Sequence, residues 1–271
     1  MIRGNVHTHT IYCDGENTAE EMIKAAIEKG FGYIGFSGHS YTDFDKSYAM
    51  SRENTKKYIE EITFLKNKYK DKITVLCGIE KDAFSDYSAE GFDYVLASCH
   101  YVKADGKYFD VDVSANLQKT TIDAYFGGDP YAYAEEYFKT VGEMTGDIVG
   151  HFDLITKFDR AEEIFSPKEE RYKKAALSAI EKLLDKKFVF EVNTGAMARG
   201  LKNAPYPSGW ILEKLKKYNA RVIITSDCHT KKNLDFAFDE TEKMLSGIGF
   251  KDFYNIDFIE KAGSDCTHVA L

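Results

Sequence analysis

Val222-Ile-Ile-Thr225 continues into Ser-Asp-Cys-His229, so a run apolar on both faces ends in a carboxylate and an imidazole. Apolarity on both faces marks a strand covered on both sides, as in a parallel sheet. Working back from it, six comparable β-branched or aromatic runs occur at Gly4–Thr8, Tyr33–Ser37, Thr74–Ile79, Tyr94–Ser98, Asp147–Gly150 and Phe188–Val192. Each leads into a longer segment with helical periodicity, the alternation expected of βαβ units around a parallel sheet. Thr18-Ala-Glu-Glu21 reads as a capping box opening a helix that closes at Gly30, and Ser166-Pro-Lys-Glu169 as a second one with proline in the first turn. Asn54–Lys70, Pro130–Glu143, Gly209–Tyr218 and Asp239–Leu245 are helical by pattern, and Ala104-Asp-Gly-Lys107 is a hairpin turn. The connection from about 101 to 146 is therefore an elaborated loop inside a single domain spanning 1–271, since no Pro/Ser-rich linker flanks it.

With 271 residues, 44% hydrophobic and 14% aromatic, the chain can bury a sizeable core, and 30% charged residues cover the surface. Seven β/α units either close into a TIM-like barrel, which takes about 250 residues, or lie as an open doubly wound sheet; hydropathy does not choose. No apolar run reaches the roughly 18 residues of a membrane span, and no signal core follows the first residues, so the expected compartment is the cytoplasm. Five scattered cysteines suggest neither a disulfide framework nor a thiolate zinc site. A net charge of −8 argues against nucleic acid or anionic lipid as a partner. The oligomeric state is not legible.

Six of seven histidines (His7, His9, His39, His100, His151 and His229) stand at or just beyond the C-terminal end of an expected strand. Glu80 and Asp227 share that position and Asp14 follows the first strand closely. The C-terminal face is where parallel barrels assemble their sites. In a strand, residues i and i+2 point to one side, so His7 and His9 can reach a single ion, and Asp227-Cys-His229 repeats the spacing. A carboxylate ending an apolar strand, as Glu80 does, is costly without a cation. The same alternation turns Cys99 and Cys228 away, as packing residues.

The set His7-Thr-His9 with Asp14, Ser37-Gly-His39, Gly78-Ile-Glu80, His100, Gly150-His151-Phe-Asp153 and Ser226-Asp227-Cys-His229 resembles the polymerase and histidinol phosphatase (PHP) superfamily. Length, the Glu191-Val-Asn193-Thr-Gly195 element and Arg199 resemble its stand-alone L-histidinol-phosphate phosphatases. The resemblance implies a distorted (β/α)7 barrel holding up to three divalent ions (Zn, Mn or Fe). His7, His9, Glu80 and Asp227 would hold one. Glu80, His100 and His151 would hold the second, and Asp14, His39 and His229 the third. Glu80, Asp227 and His229 would stand closest to the chemistry.

Clustered divalent ions lower the pKa of a bridging water and neutralise phosphoryl oxygens, so phosphate monoester hydrolysis by a metal-bridging hydroxide is the expected reaction. The resemblance makes L-histidinol phosphate the expected substrate, in histidine biosynthesis. Arg160 and Arg199, in loops after strands, suit phosphate recognition. Asp153, Glu191 and Asn193 are the candidate contacts to the amine and imidazole. Another phosphate ester, a nucleotide, or a non-catalytic metal-binding regulatory role are the alternatives.

Overall fold

The computed structural model describes residues 3–159 and 164–259. Among the described residues nine strands run in chain order: β1 (Gly4–Asn5), β2 (Tyr33–Phe36), β3 (Thr74–Asp82), β4 (Tyr94–Ser98), β5 (Tyr101–Ala104), β6 (Lys107–Asp110), β7 (Ile148–Val149), β8 (Val189–Asn193) and β9 (Val222–Thr225). All but β5 and β6 form one parallel sheet in the order β1-β2-β3-β4-β7-β8-β9. Its two edges meet through a parallel bridge between Thr8 and Cys228, where the His9 N–H donates to the Cys228 carbonyl at 3.0 Å. The sheet thereby curls into a distorted (β/α)7 barrel, and the open-sheet alternative falls away.

The helices are α1 (Ala19–Glu28), α2 (Arg52–Tyr69), α3 (Ala115–Tyr125), α4 (Pro130–Glu143), α5 (Glu170–Asp185), the short α6 (Gly195–Ala198), α7 (Gly209–Lys217) and α8 (Phe238–Ile248). Thr18 and Glu21 form the expected reciprocal cap of α1. The second box does not form. Ser166 Oγ accepts from Lys168 N and the Ser166 carbonyl from Glu169 N, so these residues close a turn, and α5 begins at Glu170 without a side-chain cap. Helix α3 was not expected. Its Ser114 cap and buried Gln118 and Ile122 lie in an otherwise polar stretch whose apolar stripe is weak. Asp105 and Gly106 both take positive φ, the geometry of a two-residue hairpin turn joining β5 to β6.

Two apolar layers result. A large one lies between sheet and helices, and a small one (Val6, Tyr33, Leu76, Tyr94, Leu96, Ile148, Val189 and Ile223) fills the barrel's lower lumen. Tyr94 crosses the lumen and donates its hydroxyl to the Val6 carbonyl at 2.6 Å. A Cβ at Gly78 would sit 2.2 Å from that ring, so this position requires glycine. Strand alternation then decides what stands above the plug: Leu76, Gly78 and Glu80 on β3, and Val189 and Glu191 on β8, project inward. Among the described residues, no helix is long and apolar enough to cross a membrane.

Candidate metal centre

Above the apolar plug the lumen turns polar, and the nine expected ligand residues converge there. Glu80 is the centre. Its Oε2 lies 3.3 Å from His7 Nε2 and 3.6 Å from His9 Nε2, while Asp227 Oδ1 stands 3.5 and 3.2 Å from the same two nitrogens. Its Oε1 lies 3.4 Å from His100 Nε2 and 3.0 Å from His151 Nε2. A third group opens toward the mouth: Asp14 Oδ1 is 3.7 Å from His39 Nε2 and Asp14 Oδ2 is 3.2 Å from His229 Nε2. His39 Nδ1 approaches Glu80 Oε2 at 2.8 Å and ties this group to the centre.

These spacings test whether the residues fit a cation. Donors about 2.0–2.1 Å from a tetrahedral ion lie about 3.3 Å apart. His7, His9, Glu80 and Asp227 match that spacing. His7 Nε2, His9 Nε2 and Glu80 Oε2 are buried with no hydrogen-bond partner, because even the close His39 approach is not aligned as a hydrogen bond. Buried polar atoms without partners are expensive, and a shared cation satisfies all three at once. Donor atoms of His9, Asp14, His39 and His229, of His7, His9 and Glu80, and of His39, Glu80 and His100 each fall within 4.8 Å of one another. The residues fit divalent cations.

Without a cation the histidines and carboxylates share protons. Burial favours the neutral carboxyl of Glu80, yet His39, His7 and His100 outweigh it and hold the group well below the usual range. Asp227 is lowered likewise, against burial, by His7 and Arg199. Burial opposes the charge on His39 too, but Glu80 and Asp14 raise its pKa to about 9. His9, buried beside His229 and His39, is pushed down to about 3.

The candidate ligands are aimed from behind. Glu191, fully buried on β8, accepts from His7 Nδ1 (2.5 Å) and Thr225 Oγ1 (2.6 Å) at Oε1, and from His151 N (2.5 Å) and Asn193 Nδ2 (3.0 Å) at Oε2. It fixes the His7 proton on Nδ1 and leaves the Nε2 lone pair facing the centre. Asp82 does the same for His100, accepting from its backbone N–H (3.0 Å) and Nδ1 (3.1 Å). Asp82 was missed although it alternates with Glu80, because β3 runs three residues past its expected end. Asp227 takes φ +45°, so a left-handed turn beyond β9, rather than strand alternation, brings Asp227 and His229 to one centre.

The expected substrate contacts divide differently. Glu191, Asn193 and Asp153 do not line the cavity that opens over the centre: Asn193 holds Glu191 and the Gly195 N–H, and Asp153 accepts from Ser208 N and Oγ. Their hydrogen bonds to the chain give these three residues a supporting position in the structure. Arg199 does line it, its Nη2 3.0 Å from Asp227 Oδ2. Arg160 lies outside the described residues. The cavity measures about 660 Å³, and its outer wall carries Asp45, Tyr48, Asp110, Asp112 and Lys157, none of which the strand-end pattern flagged.

The PHP domain family model matches residues 5–195. The chain is 25% identical over 267 residues to the histidinol-phosphatase of Bacillus subtilis (strain 168), across 88% of this chain and 98% of that protein. A solved structure of a candidate histidinol phosphatase, HisK, from Listeria monocytogenes aligns with TM-score 0.74 at 19% identity, over 88% of this chain and 99% of that one. Histidinol phosphate phosphatase of Lactococcus lactis, solved with Zn, L-histidinol and phosphate, aligns with TM-score 0.66 at 21% identity, over 93% and 95%. At these identities the structural likenesses establish the fold.

Proposed function

Because this chain belongs to the PHP domain family, we propose that it hydrolyses L-histidinol phosphate to L-histidinol and phosphate as a metal-dependent phosphomonoesterase. The observation that carries this reading is the division of the Glu80 carboxylate, whose Oε1 faces His100 and His151 while its Oε2 faces His7 and His9, with His39 alongside. We assign His7, His9, Glu80 and Asp227 to one divalent ion, Glu80, His100 and His151 to a second, and Asp14, His39 and His229 to a third, with Zn, Mn or Fe suited to these mixed nitrogen and oxygen donors. Bound there, such ions supply Lewis acidity, which neutralises phosphoryl oxygens and makes a bound water nucleophilic near neutral pH.

The chain's own residues do the rest. Glu191 and Asp82 hold the protons on His7 Nδ1 and His100 Nδ1, which keeps both Nε2 lone pairs directed inward. Arg199 reaches the cavity from the loop after β8, and its planar donor fork suits a phosphoryl oxygen as well as Asp227. The plug around Tyr94 fills the lumen below, and the cavity opens at the other end, where the candidate ligands stand. The test is kcat/KM of metal-loaded protein for L-histidinol phosphate, phenyl phosphate and a bis-aryl phosphodiester. The first should lead. A faster diester would overturn the monoesterase reading, and a faster unrelated monoester would overturn the substrate.

A further inference from the structure

Glu191, Asn193 and Asp153 do not line the cavity and are hydrogen-bonded within the chain, which directs attention to the carboxylates that do line it. We propose that Asp110, at the end of β6, is the residue that selects a cationic ester, taking the ammonium or imidazolium of the substrate against its carboxylate. This rests on the function proposed above and deepens it. The Val111 N–H donates to the His100 carbonyl at 2.9 Å, which docks the end of the hairpin beside a ligand residue. Val111 is buried in the core, so alternation sends Asp110 and Asp112 to the other side, where both line the cavity. That this cavity is a ligand site stands independently on Glu80, 1% exposed, whose Oε2 faces it without a hydrogen-bond partner.

Besides the expected ligand residues four carboxylates line the cavity; Glu16 is exposed, and of the three part-buried ones two are already matched. Asp112 Oδ2 pairs with Lys157 Nζ at 2.9 Å, and Asp45 accepts from Tyr101 at 2.9 Å and from Ser47. Among the described residues, Asp110 finds its own backbone N–H and no neighbouring side chain. Half-buried, with Asp112 and Asp45 nearby, its carboxyl is pushed up, first by burial and then by their charges. A carboxylate accepts and an ammonium only donates, so a cation from the substrate supplies what this wall lacks. A neutral ester leaves the carboxylate as it is.

The experiment measures kcat/KM for L-histidinol phosphate, phosphoethanolamine and phenyl phosphate with wild type, Asp110→Asn and Asp110→Glu, together with metal content. Losing one charge-assisted contact should lower the ratio of the better cationic ester to phenyl phosphate about 10- to 100-fold in Asp110→Asn, with Asp110→Glu recovering part of it. Metal content should stay at the wild-type value. A ratio within about twofold of wild type, or metal lost in step with activity, overturns the role of Asp110. If phosphoethanolamine outruns L-histidinol phosphate and the ratio still collapses, the named substrate fails and Asp110 stands. If wild type prefers the neutral ester, both fail.

Discussion

Replacing Glu191 by glutamine changes one atom's hydrogen-bonding character in a fully buried carboxylate that accepts four donors. The amide nitrogen can face either pair. Turned toward the His151 backbone N–H and Asn193 Nδ2, it meets two groups that only donate, and each buried donor left unmatched costs about 1–3 kcal/mol. Turned toward His7 and Thr225, it meets an imidazole and a hydroxyl that can both switch to accepting. The second orientation therefore wins by about 2–6 kcal/mol on the same figures. Its consequence falls on His7: accepting at Nδ1 places the proton on Nε2, the atom that faces Glu80 and Asp227. Loss of such an outer partner typically weakens metal binding about 10- to 100-fold. Zn2+ titration of metal-free protein against a chromophoric chelator reads this directly. We expect Glu191→Gln to fold, bind Zn2+ about 10- to 100-fold more weakly, and lose activity on L-histidinol phosphate and phenyl phosphate alike. A dissociation constant within about twofold of wild type, with the ester ratio altered instead, would refute the reasoning and return Glu191 to the role of a substrate contact.

Two further outcomes follow from the centre. Asp14→Asn should keep the metals held around Glu80 and lose occupancy where His39 and His229 stand, since a neutral amide is a poorer ligand for a hard cation; unchanged metal stoichiometry and kinetics would make Asp14 an ordinary loop residue. In the metal-free chain, His39 keeps its proton to about pH 9, so the stability it contributes is complete below its unfolded pKa of about 6.5 and is lost as pH rises through about 9. A cation must displace that proton. Affinity should therefore climb with pH up to about 9 and level off above it, with proton release seen by calorimetry in buffers of different ionisation enthalpy; a flat affinity profile below pH 9 would refute this.

Much of this site is written in local periodicity. An apolar run such as Val222–Thr225 marks a strand whatever it pairs with, and a histidine or carboxylate at its end belongs to the rim of a parallel barrel before any contact is known. The nine donors from His7 to His229 could be named for that reason, and their motif order matched a family. The hairpin turn at Asp105-Gly106 was legible too, because left-handed backbone restricts residue choice. What faces a given side chain is a different kind of information, since it depends on pairing between segments far apart in the chain. Glu191 reads as a polar residue near a strand end, and only the β8–β9 register together with the closure of β1 onto the end of β9 sets it against His7, 184 positions away, and makes it a support instead of a contact. Asp82 meets His100 because β3 runs on beside β4 to the Asp82–Ser98 pair. Asp110 and Asp112 reach the cavity because Val111 between them packs into the core: the bond from Val111 N–H to the His100 carbonyl continues the hairpin set by the Asp105-Gly106 turn, but which side of that hairpin faces the rim depends on what the core takes up. The kind of donor atom at each strand end was thus determined by the sequence alone; which oxygen of Glu80 faces which histidine, and which carboxylates line the cavity, were decided by the tertiary packing that brings distant strand ends to one rim.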